Sequence, residues 1–369
     1  MNHLTNVYSI VPRLPPAIDG VGDYALNLAR QLRKDFNIQT HFIVGNPTWS
    51  GASEIEGFPV SKIISRSSDV LLNVLSKYPD LPILVHYVGY GYQKRGCPTW
   101  LINALERWRN LFPNRSLVTM FHEVYASGSP WNSAFWLSPL QKQLAGRLAR
   151  SSDRCITSKE EYAQLIYQLN PDQKPEITCL PVFSNIGEPE YLAPLSERSR
   201  RLVIFGNRNS RLQVYNQRFK EVKAVCKILQ INEISDIGVK TGLNLSEIEG
   251  ISILERGVIE SQEISLIMQD SIAGVLGSPP PTELAKSTIF AAYCAHGLVP
   301  CTIMPNPLST DGLIQGKHYW CINAEIDNLS LYNGQKITNN AYTWYQQHSL
   351  SRQAKIFSQI LSCVALTDS

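Results

Sequence analysis

The sequence predicts an α/β protein of two Rossmann-like, doubly wound lobes that face a cleft. Three observations carry this expectation. At 369 residues the chain is about two and a half times the ~150 residues of a typical domain, so a single compact core is disfavoured. Short β-branched runs alternate with helical patterns in both halves, the signature of parallel strands joined by crossover helices. Between the halves lies an aperiodic stretch with Gly, Pro and clustered charges, which reads as a linker. The expected division is residues 1–183 as the first lobe, 184–200 as linker, 201–340 as the second lobe and 341–369 as a terminal helical segment that crosses back to the first.

The elements follow in order. Val7–Val11 reads as the first strand and the run from Ile38 as the second. Between them Tyr24, Ala25, Leu28, Ala29 and Leu32 repeat at helical spacing and define one apolar face. Later strands are expected at Pro82–Val88, Ser116–Phe121, Arg154–Ser158 and Ile177–Val182, with helices such as TWLINALERWRNLF and LQKQLAGRLARSS among them. The second lobe opens on the strand Arg201–Gly206 and continues with Ser235–Gly242, Ala273–Ser278 and Leu298–Ile303. Its helices are YNQRFKEVKAVCKILQ, SQEISLIMQDS and STIFAAYCAHG.

Composition narrows the function classes. With 44% hydrophobic and 18% charged residues, collagen, coiled coil and bulk disorder are excluded. A net charge of +3 does not announce a nucleic-acid binder. Basic residues are concentrated between His86 and Cys155, nine against three acidic ones. That surplus suits an anionic lipid surface or an acidic acceptor, and equally a solvated face of two helices. The start lacks a signal-peptide layout and no apolar run reaches ~18 residues, so the expected place is the cytoplasm, with peripheral contact at the inner face of a membrane. Eight dispersed cysteines form no CxxC pair, which argues for free thiols over a zinc or redox site.

Five segments carry candidate chemistry. Gly20-Val21-Gly22 lies between the first strand and first helix, where backbone amides can face an anion or sugar. The same glycines would also serve an ordinary βα turn. His122 and Glu123 follow a strand directly and would emerge at the carboxyl edge of the sheet, where open α/β folds bind ligands. An HExxH zinc site is excluded because Ala126 stands where the second histidine would be. His86 to Tyr92, with Tyr90 inside it, suits either stacking on a sugar or packing within the lobe. Gly206, Asn207, Arg208 and Arg211 open the second lobe at the equivalent strand-to-loop position, and Arg211 is the expected diphosphate contact. Lys286, Ser287 and Thr288 put a cation and hydroxyls at a helix start, a favourable place for phosphate, although Ser287 could simply cap the helix.

This ordered set of a glycine loop, a histidine after an interior strand, a new lobe beginning FGN, the segment GVIESQEISLIMQDSIAGVLGS and then FAAYCAHGLVP resembles GT-B glycosyltransferases. The resemblance is to the retaining, nucleotide-sugar-dependent glycosyltransferase family 4, and it spans nearly the whole chain. The family's second lobe commonly shows a glycine, a helix of "eel" character, a proline-rich loop and an A-x-G-x-P helix end, matched here by Gly257, Glu263-Ile264, Gly277 to Pro281, and Ala295 to Pro300. The family's paired glutamates, spaced E-x7-E, are incomplete. Ala291 and Ala292 occupy the neighbourhood of the second, and only Glu283 remains upstream.

The resemblance implies transfer of a sugar from a nucleoside diphosphate to an acceptor hydroxyl with retention. Arg211, Lys286, Ser287 and Thr288 would hold the diphosphate, with Gly206, Asn207 and Glu283 in the nucleotide-lobe loop. His122 would contact the donor sugar as the catalytic residue. Gly20, Gly22, Tyr90 and Glu123 would line the acceptor side. No DxD pair occurs, so the expectation is no metal ion and no cofactor beyond the nucleotide sugar itself. Partners are then a nucleotide sugar and a hydroxyl-bearing acceptor, with no nucleic acid. A sugar-nucleotide epimerase or phosphorylase would share the fold, and an inactive sugar-nucleotide-binding subunit would account for the missing glutamate.

Overall fold

The computed structural model describes residues 6–77, 80–126, 133–171, 176–243, 245–277, 281–303, 309–322 and 329–363. Two compact units emerge: Met1–Pro181 with Leu350–Ser369, and Val182–Ser349.

Unit 1 holds the strands β1 (Asn6–Val11), β2 (Gln39–Val44), β3 (Glu54–Ile55), β4 (Phe58–Lys62), β5 (Ile83–Tyr87), β6 (Leu117–Phe121), β7 (Arg154–Thr157) and β8 (Ile177–Cys179). They lie in the order β3-β4-β2-β1-β5-β6-β7-β8, parallel throughout except for the β3–β4 hairpin. Its helices are α1 (Gly20–Phe36), α2 (Ser68–Leu75), α3 (Gly89–Tyr92), α4 (Thr99–Leu111), α5 (Ser133–Ser151) and α6 (Glu160–Leu169). The apolar face expected from Tyr24 to Leu32 is buried. Asn37, in the left-handed region, ends α1.

Unit 2 holds β9 (Arg201–Phe205), β10 (Glu233–Ile237), β11 (Glu247–Ile248), β12 (Ile251–Gly257), β13 (Ala273–Leu276), β14 (Val299–Thr302) and β15 (Trp320–Cys321), in the order β11-β12-β10-β9-β13-β14-β15. The helices are α7 (Arg208–Gln217), α8 (Phe219–Ile228), α9 (Ser261–Gln269), α10 (Thr288–Ala295) and α11 (Leu331–Gln346). The last helix, α12 (Leu350–Cys363), belongs to unit 1 and packs on α1.

Each sheet therefore reverses its winding direction between the first and fifth strands of its series, at β1/β5 and at β9/β13. Open α/β sheets bind ligands outside the carboxyl ends of the strands at such points. In each unit a fully buried tyrosine bolts this divergence. The Tyr92 hydroxyl lies 2.9 Å from the carbonyl oxygens of Ile10 in β1 and His86 in β5. The Tyr293 hydroxyl accepts from the Phe205 amide at 3.2 Å and faces the Val203 and Val275 carbonyls at 3.4 and 3.3 Å. Removing either hydroxyl leaves buried backbone groups unpaired, a cost of about 1–3 kcal/mol. Tyr92→Phe and Tyr293→Phe should each lower the denaturant midpoint accordingly, and an unmoved midpoint would show that the bolts do not hold the sheets.

Several expectations shift: the strand placed at Ile177–Val182 ends at Cys179, and residues 184–200, expected as a linker, belong to unit 2. The strand placed at Ser235–Gly242 is Glu233–Ile237, because Gly238 at φ +139° turns the chain away. The single helix expected at YNQRFKEVKAVCKILQ is two, α7 and α8, broken at Arg218. The terminal segment divides at Ser349, so residues 341–349 stay with unit 2. The β3–β4 and β11–β12 hairpins were not anticipated. Both turn on Glu-Gly with positive φ at each residue, 53° and 80° at Glu56-Gly57 and 52° and 81° at Glu249-Gly250, which is the geometry of a type I′ turn.

Candidate active site

In unit 1 the chain leaves β6 at Phe121, and the His122 amide extends the ladder by donating to the Tyr87 carbonyl at 2.9 Å. His122 is half-buried and Glu123 exposed at the carboxyl edge of the sheet, one strand from the switch point. Its Nε2 lies 3.1 Å from Nδ1 of His86, which is fully buried. The two rings stack at 25° with centroids 5.4 Å apart, and Tyr24 meets both edge-on. Burial pushes the His122 imidazole down to about 3 and His86 well below its usual value, so both are neutral at pH 7. The Tyr24 hydroxyl donates to Gln353 Oε1 at 2.6 Å, and Gln353 Nε2 donates to the Pro181 carbonyl at 2.6 Å. Thus α12 ties α1 to the end of unit 1's first segment.

The other unit 1 candidates are distributed around this edge. Asp19 caps α1 and accepts from the amides of Val21 and Gly22, both at 3.0 Å, so the helix start is satisfied by the chain's own carboxylate. Gly22 is buried, and a Cβ there would overlap the Arg13 carbonyl. Gly20 is exposed with no neighbour near a notional Cβ, leaving room for close approach. Tyr90 is exposed and its hydroxyl accepts from Gln141 at 3.3 Å. Tyr87 and Tyr92 from the same segment are core residues, as is His86.

The basic surplus is largely discharged within the fold. Arg107 pairs with Asp69, Arg109 with Asp153, Arg115 with Asp80, Arg147 with Glu106 and Arg154 with Glu176. Three of those carboxylates, Asp69, Asp80 and Glu176, lie outside the window in which the surplus arises.

In unit 2 Gly206, at φ +136°, follows β9, and Asn207 caps α7 by accepting from the Ser210 amide at 2.9 Å. A Cβ on Gly206 would press on Ile289 in the first turn of α10, and one on Gly277 would overlap the Ser210 carbonyl. These glycines let the β9 loop, the end of β13 and the start of α10 converge at the switch point. There Ser287 caps α10 through the Phe290 amide at 3.2 Å, while the amides of Thr288 and Ile289 precede the first intrahelical acceptor. Lys286 Nζ lies 2.6 Å from Glu283 Oε2, both side chains partly exposed. Ala291 and Ala292, in the neighbourhood where the sequence resemblance leads one to expect a glutamate, are buried. The proline-rich loop at 278–280 lies outside the described residues.

Arg211, expected to grip a diphosphate, is instead 1% exposed. Its guanidinium is bonded to Asp236 and to the carbonyls of Gly206 and Val239. A charge so buried must be paired, and here every contact is internal.

Fold and edge geometry define a class: two doubly wound α/β units whose polar loops gather at the carboxyl ends of their sheets. The chain has the GT-B fold. It is similar over its full length, and that of its match, to a glycosyltransferase from Rickettsia africae ESF-5, at 12% identity and a TM-score of 0.64. A pneumococcal O-GlcNAc transferase in complex with UDP and GlcNAc matches at 11% identity and a TM-score of 0.58, over 99% of this chain and 100% of that one. A chain assigned as a UDP-N-acetylglucosamine 2-epimerase from Listeria monocytogenes matches at 15% identity and a TM-score of 0.55, over 99% and 98%. No protein-family model and no curated protein matches the sequence. Among the described residues no helix is long and apolar enough to cross a membrane.

Proposed function

We propose that the chain is a retaining glycosyltransferase of the family 4 type that moves a sugar from a nucleoside diphosphate to an acceptor hydroxyl, without a metal ion. The product would be a glycan, a glycolipid or a small glycoside. The carrying observation is the neutral, half-buried His122 at the carboxyl edge of a doubly wound sheet. A neutral imidazole there can contact the donor sugar without adding charge to an oxocarbenium-like centre.

In unit 2 the Lys286 ammonium and the first-turn amides at Thr288 and Ile289 offer positive potential to the departing diphosphate. Glu283 beside Lys286 fixes that ammonium and would contact the donor alongside Asn207 and Gly206. The acceptor is served by the exposed Gly20, Tyr90 and Glu123. Lys94, Arg95, Lys142 and Arg150, which carry no ion pair among the described residues, are the basic side chains left for an acidic acceptor or lipid headgroup, Arg150 also donating to Asn170. The relatives in fold, one in complex with UDP and GlcNAc, support nucleotide-sugar chemistry.

Calorimetry with UDP and GDP tests the reading, and no binding to any nucleoside diphosphate would remove it. Lys286→Ala should weaken the diphosphates roughly tenfold or more, the worth of a charged hydrogen bond, and spare the nucleosides. Equal loss of both would show that Lys286 is not a phosphate ligand. A screen of nucleotide sugars for slow hydrolysis would identify the donor. Release of an altered sugar with no acceptor present would move the chain to the epimerases.

A further inference from the structure

The bond between His86 and His122 fixes more than distance. Two neutral imidazoles 3.1 Å apart share one proton in that bond, so one ring donates and the other accepts. In the first arrangement His86 Nδ1–H donates to His122 Nε2. His86 Nε2 is then a bare lone pair, and the other nitrogen of His122, Nδ1, carries its proton. In the second, His122 Nε2–H donates, His86 Nε2 carries a proton, and His122 Nδ1 is bare.

His86 Nε2 decides between them. It is buried and has no hydrogen-bond partner among the described residues. A buried N–H with no acceptor is rarer in folded proteins than an under-used acceptor. The first arrangement avoids that orphan donor. His122 Nδ1 makes no hydrogen bond to a described residue, and His122 as a residue is part-exposed at the carboxyl edge of the sheet. Tyr24, edge-on to both rings and held by Gln353, keeps the pair from rotating.

We propose that His86 is a positioning residue that holds His122 in the Nδ1–H tautomer, making it an obligatory hydrogen-bond donor to a substrate oxygen and not a base. The tautomer stands on the geometry of the pair together with the burial that keeps both rings neutral; its use on a substrate rests on the transferase reading.

Two measurements separate these parts. In the full chain labelled with 15N-histidine, long-range proton–nitrogen correlation at neutral pH should show the proton of His122 on Nδ1 and that of His86 on Nδ1, with His122→Gln giving the assignment. A proton on His122 Nε2, or a charged ring, would overturn the proposal whether or not a donor sugar is known. With an active donor, His86→Asn keeps an amide N–H near the Nδ1 position and should hold kcat within about threefold. His86→Leu removes the donor at similar volume and should lower kcat roughly tenfold or more, the range seen when an orienting partner is lost, with KM little changed. Equal losses in the two variants, at equal thermal stability, would reduce His86 to packing. If neither variant folds, the tautomer of the unsubstituted protein still decides.

Discussion

Replacing His122 with alanine is expected to lower turnover by on the order of 10²–10³-fold while nucleoside-diphosphate binding stays close to that of the parent and the fold is kept, with stability reduced by about 1–3 kcal/mol because buried His86 Nδ1 loses its partner. The magnitude is that of one lost pre-organised donor at a developing charge. The selectivity follows from position: His122 sits past the end of β6, half-buried, and is outside the apolar clusters that hold unit 1 together. Unchanged turnover would refute the assignment. The pH dependence should also lack a histidine limb. With His122 held down to about 3 and His86 held well below its usual value by burial, neither ring is a protonated group at neutral pH, and turnover should not fall between pH 8 and 7 on their account. Stability behaves differently. Unfolded histidines bind a proton near 6.5, so the folded state, which keeps these rings neutral, is fully favoured above that value and loses ground as pH drops towards the folded values. Buried His296, held down to about 4, contributes in the same sense.

The second large effect is structural. Asp236→Ala should destabilise the protein by about 3–5 kcal/mol, because it strands the Arg211 guanidinium in unit 2 with carbonyls and no counter-ion. Arg211→Met combined with Asp236→Leu should recover most of the loss, since a buried pair exchanged for apolar groups of similar volume is often close to neutral. Thermal melts of the three proteins measure this. Nucleoside-diphosphate affinity in the double variant should be unchanged. A double variant that melts like the parent and no longer binds UDP or GDP would return Arg211 to the ligand site.

Arg211 also shows where sequence reasoning stops. An arginine four residues beyond Asn207, at the head of a helix, has the appearance of a phosphate ligand, and its partner stands 25 residues downstream. Only the parallel register of β9 with β10, which sets Asp236 opposite Ile204, reveals that the charge is already matched. His86 is a similar case. The expected strand Pro82–Val88 already held His86, but that both faces of this strand are buried, which draws the histidine inside, emerges only with the sheet order that sets β5 between β1 and β6. By contrast the βαβ units were legible, because buried parallel strands are short β-branched runs and α1 repeats its apolar residues at every turn. The position of His122 at the sheet edge was legible because it stands one residue past such a run. The hairpins were overlooked because two-residue strands show no alternation, yet a signal was present: Glu-Ile-Glu-Gly occurs at 54–57 and again at 247–250, at equivalent edges of the two sheets.

The assignment of α12 to unit 1 has a bearing on synthesis. Domains usually fold as they leave the ribosome, the N-terminal one first. Here the helix that covers α1, and the Gln353 side chain that joins Tyr24 to Pro181, are translated only after the whole of unit 2. Nascent unit 1 must therefore wait with an apolar face uncovered, and unit 2, which is continuous in sequence, is the first that can finish. For a chain made in order from one end, the last-begun unit is the first completed.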